Sequence, residues 1–358
     1  FEKTYSPYID YVFLENTIYI LDKFNISKHI NKEYPEKYEE YLSILKNQNN
    51  SKRRKYNFKK FLKNNNINYK NFIIYKSNNS NNITEEIQRT INQSNHPYIP
   101  GSTIKGAIRT SILYHEVKNK EKYKINKKTE EKIFGKYSND DFKHLQISDT
   151  VLGDQKDLGI EKLYKYHILK KKRQMPIVKE VIKENVELDF NLKTCGNKRV
   201  KNKEYLEEGN EKLLFSIINL MSKDLIKKEL KVLKDSKESE IAKKIYEQIR
   251  KEIDLLLENN KGAILRIGSD KTFYSNTLGL LYNKRELKEY ADARKPFPKT
   301  RTFCYNNLIP SNVLGWVKIY SNDLKNNFKI RNKNISKKYL SNKKLTKKDL
   351  DKLKRKFR

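Results

Sequence analysis

The sequence predicts an α+β protein, a βαββαβ sheet covered by helices on one face, and three patterns carry that prediction. Val186, Leu188, Phe190 and Leu192 alternate with Glu187, Asp189 and Asn191, the period of a strand with one face on a core and the other in water. Ile104, Ile108, Ile112 and Leu113 fall on one helical face behind the turn signal Pro100-Gly101, where Ser102 or Thr103 is a good N-cap. Leu213, Leu214, Ile217, Ile218, Met221 and Leu225 form the stripe of a second helix, and Ile241, Ile245, Ile249, Ile253 and Leu256 that of a third; both stripes belong to a core.

Taken in order, Tyr11-Val-Phe-Leu14 and Thr17-Ile-Tyr-Ile-Leu21 flank Glu15-Asn16 and predict a tight hairpin. Between residues 27 and 63 the aromatic and leucine spacing turns helical, broken by an exposed basic loop at 51–55. Residues 64–66 and 77–82 are polar, low-complexity loops. The helix that starts near Gly101 runs to about Val117, a charged stretch at 118–128 is solvated, and His144-Leu-Gln-Ile-Ser-Asp149 forms a strand. Asp149, Asp154 and Asp157 lie in a turn with no calcium-loop spacing and are solvated or capping carboxylates. The two strand-like stretches at 163–169 and 177–182 enclose the basic run Lys170-Lys-Lys-Arg-Gln-Met-Pro176, an extended hairpin with a Met-Pro tip. Asn259-Asn-Lys-Gly262 ends the third helix, and a strand from Ala263 enters a Gly268-Ser269 turn. Trp316 sits in a final apolar strand and belongs to the core.

Composition bounds the partners. The 358 residues carry a net charge of +34, which asks for a polyanionic partner, and nucleic acid leads. No apolar run approaches the ~18 residues of a membrane span, and no membrane partner is expected. The 24 Tyr and 15 Phe supply enough large side chains for a core at 36% hydrophobic content. Cys195 and Cys304 offer neither zinc spacing nor a disulfide framework, which fits a reducing, cytoplasmic compartment. The histidines His29, His96, His115, His144 and His167 form no ligand pair, so neither a metal nor another cofactor is expected.

The densest chemistry lies in Tyr98-Ile-Pro-Gly-Ser-Thr-Ile-Lys-Gly-Ala-Ile-Arg109. Lys105 and Arg109 stack one turn apart, Gly101 and Gly106 let another chain approach the backbone, and the helix start favours an anion. On local chemistry alone an ordinary capped surface helix competes with a phosphate site. The order of residues decides for the second reading, because it closely resembles the signature of RAMP proteins, the RRM-like subunits of type III CRISPR RNA-guided complexes. The Met-Pro hairpin resembles the thumb of such subunits, the Gly268 turn their C-terminal glycine-rich loop (with one glycine where the family has two or three), and residues 295–301 and 313–319 their closing segment. The match runs from about Tyr98 to Ile319. The family's usual leading strand and His-Ile-Gly-Ser-Gly-like turn are absent ahead of Tyr11; either that strand falls outside the sequence or the match is imperfect at this edge.

The resemblance is strongest to the type III-A (Csm) subunit that caps the guide RNA at its 3′ end. It implies an RRM/ferredoxin-like domain over 1–193, with a helical insertion at about 27–95 and the thumb at about 150–182. A linker at 194–209, a smaller RAMP-like or mixed α/β domain at 210–330 and a basic tail at 331–358 complete it. The implied partners are crRNA, the backbone RAMP subunits, the small subunit and, through the guide, target RNA. The RNA contacts expected are Gly101, Ser102, Thr103, Lys105, Gly106 and Arg109 at the signature; His167, Lys170, Lys171, Lys172, Arg173 and Met175 at the thumb; Arg266, Gly268, Ser269, Lys271 and Arg301 at the loop and closing segment. In the thumb, cations hold phosphates while an apolar wedge unstacks a base step. No catalytic residue is expected. The rival is a RAMP ribonuclease, for which Asp10 and Asp22 are the carboxylates available near the N-terminus, and a third reading is an unrelated basic RNA- or DNA-binding protein.

Overall fold

The computed structural model describes residues 4–47, 58–119, 125, 128–196, 203–234, 236, 239–271, 273–283, 285–288, 299–306, 309–321 and 327–332. In chain order, β1 (Thr4–Tyr5) precedes β2 (Tyr11–Leu14), β3 (Thr17–Leu21) and helices α1 (Lys23–Glu33), α2 (Pro35–Asn47) and α3 (Phe58–Asn64). Then come β4 (Ile73–Asn78), β5 (Ile87–Gln88), β6 (Asn92–Gln93), β7 (His96–Pro97), α4 (Gly101–Lys118), α5 (Thr129–Phe134) and β8 (Leu145–Ile147). Three longer strands follow, β9 (Leu158–His167), β10 (Lys172–Ile182) and β11 (Glu187–Thr194), and then α6 (Glu211–Val232) and α7 (Glu240–Asn259). The chain closes with β12 (Gly262–Arg266), α8 (Phe273–Asn276), β13 (Thr300–Asn306), β14 (Ile309–Asn312), β15 (Trp316–Ser321) and β16 (Asn327–Asn332).

Local sequence explains most of these elements. Glu15 and Asn16 both adopt positive φ (49° and 60°), the geometry of a two-residue hairpin turn, and β2 pairs with β3 across it. Asp22 caps α1 by accepting the Phe24 and Asn25 amides at 3.1 and 3.0 Å. Asp10 accepts the Ser6 amide at 2.7 Å and pairs with Lys23 at 3.3 Å. Both carboxylates of the ribonuclease reading therefore hold turns in place. Asn260 ends α7 in the left-handed conformation, as the Asn-rich stop signal predicts. The basic loop at 51–55, most of the charged stretch at 118–128 and nearly all of the tail from 331 lie outside the described residues.

Two expected loops are structural instead. Ser77 and Asn79 are buried: the Ser77 hydroxyl accepts the Ile160 amide at 3.0 Å and the Asn79 side chain donates to the Ile160 carbonyl at 2.8 Å. They fasten β4 to β9. In the expected linker, Tyr205 and Leu206 bury themselves in the main core, because large apolar side chains next to a helix start find cover there.

Two sheets carry the architecture, one ordered β1-β5-β10-β9-β13-β14 and the other β12-β15-β16-β11-β8. Each takes strands from both sides of residues 194–209, so the sheets interleave the two regions expected as successive domains. Helices α4 and α6 cover one face of the five-stranded sheet, burying Ile104, Ile108 and Ile112 with Leu214, Ile217 and Ile218. Asn219 of α6 donates to the Gly262 carbonyl and accepts the Ile264 amide, both at 2.9 Å, which satisfies the outer edge of β12. A second core joins α7 to β9, β13 and the fully buried Trp316. The hairpin β2–β3 with β4 packs α1, α2 and α3 on one side and the foot of the six-stranded sheet on the other.

Candidate nucleic-acid interface

Helix α4 begins at Gly101, with Pro100 in the N-cap position, ahead of the predicted caps Ser102 and Thr103. Asp149, across from it at the end of β8, accepts the Gly101 amide at 2.7 Å. A carboxylate thus already occupies the positive end of the helix dipole. The glycine at 101 serves this internal contact, since a Cβ there would meet the Ile147 and Ser148 carbonyl oxygens at 2.6 Å. Gly106 is exposed with open space above it, and is the point where an outside chain can reach the helix.

Lys105 and Arg109 stack as expected, beside the rings of Phe134 and Phe142. Arg109 is committed inside the fold, with Nε 2.5 Å from Glu130 and Nη1 2.8 Å from Asp140. It is therefore not the free cation expected from the sequence, though its side chain keeps 24% exposure. Lys105 forms no ion pair among the described residues; desolvation, and secondarily Arg109, pull its pKa down.

The predicted basic hairpin is present, with a different tip. Strands β9 and β10 pair from Leu158–Ile182 to His167–Lys172, so the turn falls at 168–171, where Lys171 has φ 49°. His167 shapes the turn, its Nδ1 accepting the Lys170 amide at 3.1 Å. Pro176 lacks an amide proton, and the register breaks between Arg173 and Pro176. Met175 stands out on that irregularity at 85% exposure, and Leu169 at the turn at 71%. Lys170, Lys171 and Lys172 are exposed, while the Arg173 guanidinium lies 5.7 and 5.6 Å from the rings of Tyr164 and Tyr305. The hairpin is not a free arm, because β13 pairs along the other edge of β9.

At the glycine loop, Gly268 takes φ 90° and faces open space. Lys179 of β10 ties the loop down, donating to the Ser269 hydroxyl at 2.9 Å and pairing with Asp270 at 2.7 Å. Two cations expected here lie inside instead. Arg266 is buried, its Nε donating to the Leu314 carbonyl at 3.1 Å. Arg301, opposite Tyr166 in the register, points into the second core and pairs with fully buried Glu229 at 2.5 Å. Lys271 is partly buried, and desolvation followed by Arg266 lowers its pKa.

The signature turn and the glycine loop face one cleft of about 360 Å³. Its lining includes Pro100 and Thr103, Gly268–Asp270 and residues 179–182 of β10. Arg89 and Glu180 also line it. Glu180 accepts the Tyr75 hydroxyl at 2.5 Å and the Thr90 amide at 3.0 Å, and burial raises its pKa. Sequence reasoning missed Arg89, Lys179 and Glu180; the available signal was the Lys-Glu pair inside the apolar run of residues 177–182. Among the described residues no helix is long and apolar enough to cross a membrane, and no cluster of three or more His, Cys, Asp or Glu could hold a metal.

Two helix-backed sheets, antiparallel but for the β5–β10 pair, with a glycine-bearing helix start and a glycine loop facing a shared cleft, define an α+β protein of the RRM-like kind. Residues 74–273, more than half of the chain, match the family model of the RAMP superfamily, and the chain belongs to that superfamily. It is 26% identical over 272 residues to a Methanocaldococcus jannaschii protein described as CRISPR system Cms protein Csm5; the match spans 65% of each chain. Its fold is similar to a chain of a type III-A Csm–crRNA–target RNA ternary complex (TM-score 0.64, 20% identity, covering 88% of this chain and 95% of that one). It is similar also to T. onnurineus Csm5 (TM-score 0.60, 20% identity, 87% and 95% covered).

Proposed function

We propose that this protein is a non-catalytic, guide-RNA-binding subunit of a type III-A CRISPR complex, capping the backbone filament at the crRNA 3′ end and needed for crRNA maturation. The observation that carries the reading is the convergence of the signature turn, the glycine loop and β10 on one cleft, in a chain of net charge +34. From Lys179 at that cleft to Lys172 at the thumb, β10 extends seven residues, roughly 23 Å at the rise of a strand, a track for several nucleotides. Phosphate and shape contacts along such a track hold RNA without reading most of its sequence. The similarity to a Csm5 protein and to a chain of a crRNA-bound complex supports the same assignment.

The capping role follows from filament geometry. Identical heterologous contacts continue indefinitely unless an end subunit differs. Helices α6 and α7 and strands β12–β16 add a large body beside the signature helix and thumb, which we assign to the face where another backbone subunit docks. The backbone RAMP subunits, the small subunit, crRNA and, through it, target RNA are the partners, in the cytoplasm. The ribonuclease alternative is weakened by the positions of Asp10 and Asp22, both engaged in turns. Native mass spectrometry and RNA end-mapping of complexes with and without this subunit test the cap: one copy per complex and ragged 3′ ends on its deletion are expected. Several copies, or unchanged ends, overturn it. Cleavage of labelled repeat RNA by the purified protein, with or without Mg²⁺, overturns the non-catalytic part.

A further inference from the structure

The cleft between the signature turn and the glycine loop has a chemistry that phosphate binding does not explain. Phosphates are held at exposed backbone amides and cations, whereas this cavity is walled by Ile99, Val186, Leu188, Ile267 and Val317. An apolar cavity of about 360 Å³ with a few polar groups matches the size and character of small-molecule sites. Its polar groups are unequal. Both Glu180 carboxylate oxygens already accept hydrogen bonds, and Lys179 is held by Asp270. Arg89 is engaged as well, its Nη2 reaching Asn92 and Asn95 at 3.3 and 3.0 Å and its guanidinium lying 4.5 Å from the Tyr5 ring, whereas Gln88 at the cleft is exposed and Thr103 half-buried. The cavity therefore offers apolar walls and a few polar side chains, Gln88, Tyr98 and Thr103 among them, the complement of a planar heteroaromatic ring with polar atoms on its edge.

Resting on the RNA-binding reading above, we propose that this cleft receives a single unstacked nucleobase of the bound RNA, held between its apolar walls. The rim supplies the reason the base arrives there. Gly268, which lines the cleft, leaves the loop open to a backbone passing over it. A strand crossing that rim has its bases free of pairing, and inserting one exchanges stacking in water for burial against aliphatic side chains and Tyr98. The nucleotide so held would fix the register of the RNA, which phosphate contacts alone leave free to slide.

The test is an abasic scan. Single-stranded RNAs carrying one abasic nucleotide at each successive position are titrated against the full chain. One position is expected to lose about ten-fold in affinity, the equivalent of ~1.4 kcal/mol, with its neighbours nearly unaffected. Val186→Trp, which fills the cavity, should bind intact RNA more weakly and make the scan flat; Ile99→Phe is the second filling variant should the first fail to fold. Tight binding with a flat scan in the wild-type protein removes the base pocket and leaves the RNA-binding reading standing. No binding of RNA by folded protein overturns both. A scan that keeps its sensitive position in a folded filling variant places the base elsewhere and also overturns the proposal.

Discussion

Arg301 gives the sharpest contrast between what a basic closing segment suggests and where the fold puts it. Its side chain is 1% exposed and that of Glu229 is fully buried, with Nε and Oε2 2.5 Å apart. Nη1 donates to the Thr300 carbonyl at 2.9 Å and the guanidinium lies 5.5 Å from the Tyr274 ring. Replacing Arg301 with Met keeps most of the volume and leaves the Glu229 carboxylate in the core without its cation. Breaking a buried pair in that way costs about 3–5 kcal/mol, whereas replacing both partners with apolar residues is near neutral or stabilising. Arg301→Met should therefore lose about 3–5 kcal/mol and Glu229→Met a comparable amount. The double variant should return to within about 1 kcal/mol of the parent. Urea unfolding followed by the fluorescence of Trp316, the single tryptophan, reads all four corners of the cycle. RNA affinity of the folded double variant should be unchanged. Full stability in Arg301→Met, together with weaker RNA binding and a shallower salt dependence, would refute the assignment of this arginine to the core.

Three further outcomes are expected. Burial, and secondarily Glu184, raise the Glu161 carboxyl to about 7 from an ordinary 4.5, so the native state holds a proton that the unfolded chain releases between those values. Stability should fall as pH rises through that window, by at most about 3 kcal/mol, and Glu161→Gln should flatten the pH profile of urea midpoints; an unchanged profile removes Glu161 as its source. Lys105→Ala should lower the log–log salt slope of RNA binding by roughly 0.7–0.9, one phosphate's worth, while Arg109→Ala should leave the slope unchanged and lower the thermal midpoint. Asp149→Asn keeps a good cap on α4 but removes its charge, so RNA should bind more tightly at low salt; equal affinity would move the RNA path away from this helix start.

How far the sequence disclosed this structure depended on whether a feature is encoded locally. The hairpin at Glu15-Asn16, the strand from Glu187 and the stripes of α6 and α7 follow from short-range periodicity and turn chemistry, and each appears within a few residues of its expected place. Leu213 departs from its stripe, 39% exposed at the helix start. The site was half legible. The positions of the signature, the glycine turn and the thumb could be read, because each is a contiguous motif. Which of their cations face outward could not, because that depends on partners far away in sequence: Glu130 and Asp140 for Arg109, Glu229 for Arg301, the Leu314 carbonyl for Arg266. The cleft was invisible for the same reason, since its walls come from five separated segments that only the sheet order brings together.

These commitments change how the charge of +34 should be understood. Arg109, Arg266 and Arg301 are held within the fold by carboxylates or carbonyls, and of the two cations lining the cleft Lys179 is tied to Asp270 while Arg89 reaches Asn92 and Asn95. Along the sequence, residues 331–358 carry thirteen Lys and Arg against two Asp, and on the hairpin Lys170, Lys171 and Lys172 are exposed. Diffuse cations raise the rate and strength of encounter with any polyanion and are weakened by salt, but they do not fix where along a strand the protein stops. Position has to come from groups with defined geometry, and on the proposed reading those are the helix face at Lys105 and Gly106, the open backbone at Gly268 and the apolar cavity that Gly268 lines. Attraction and placement thus rest on different residues, and salt should weaken the first far more than the second.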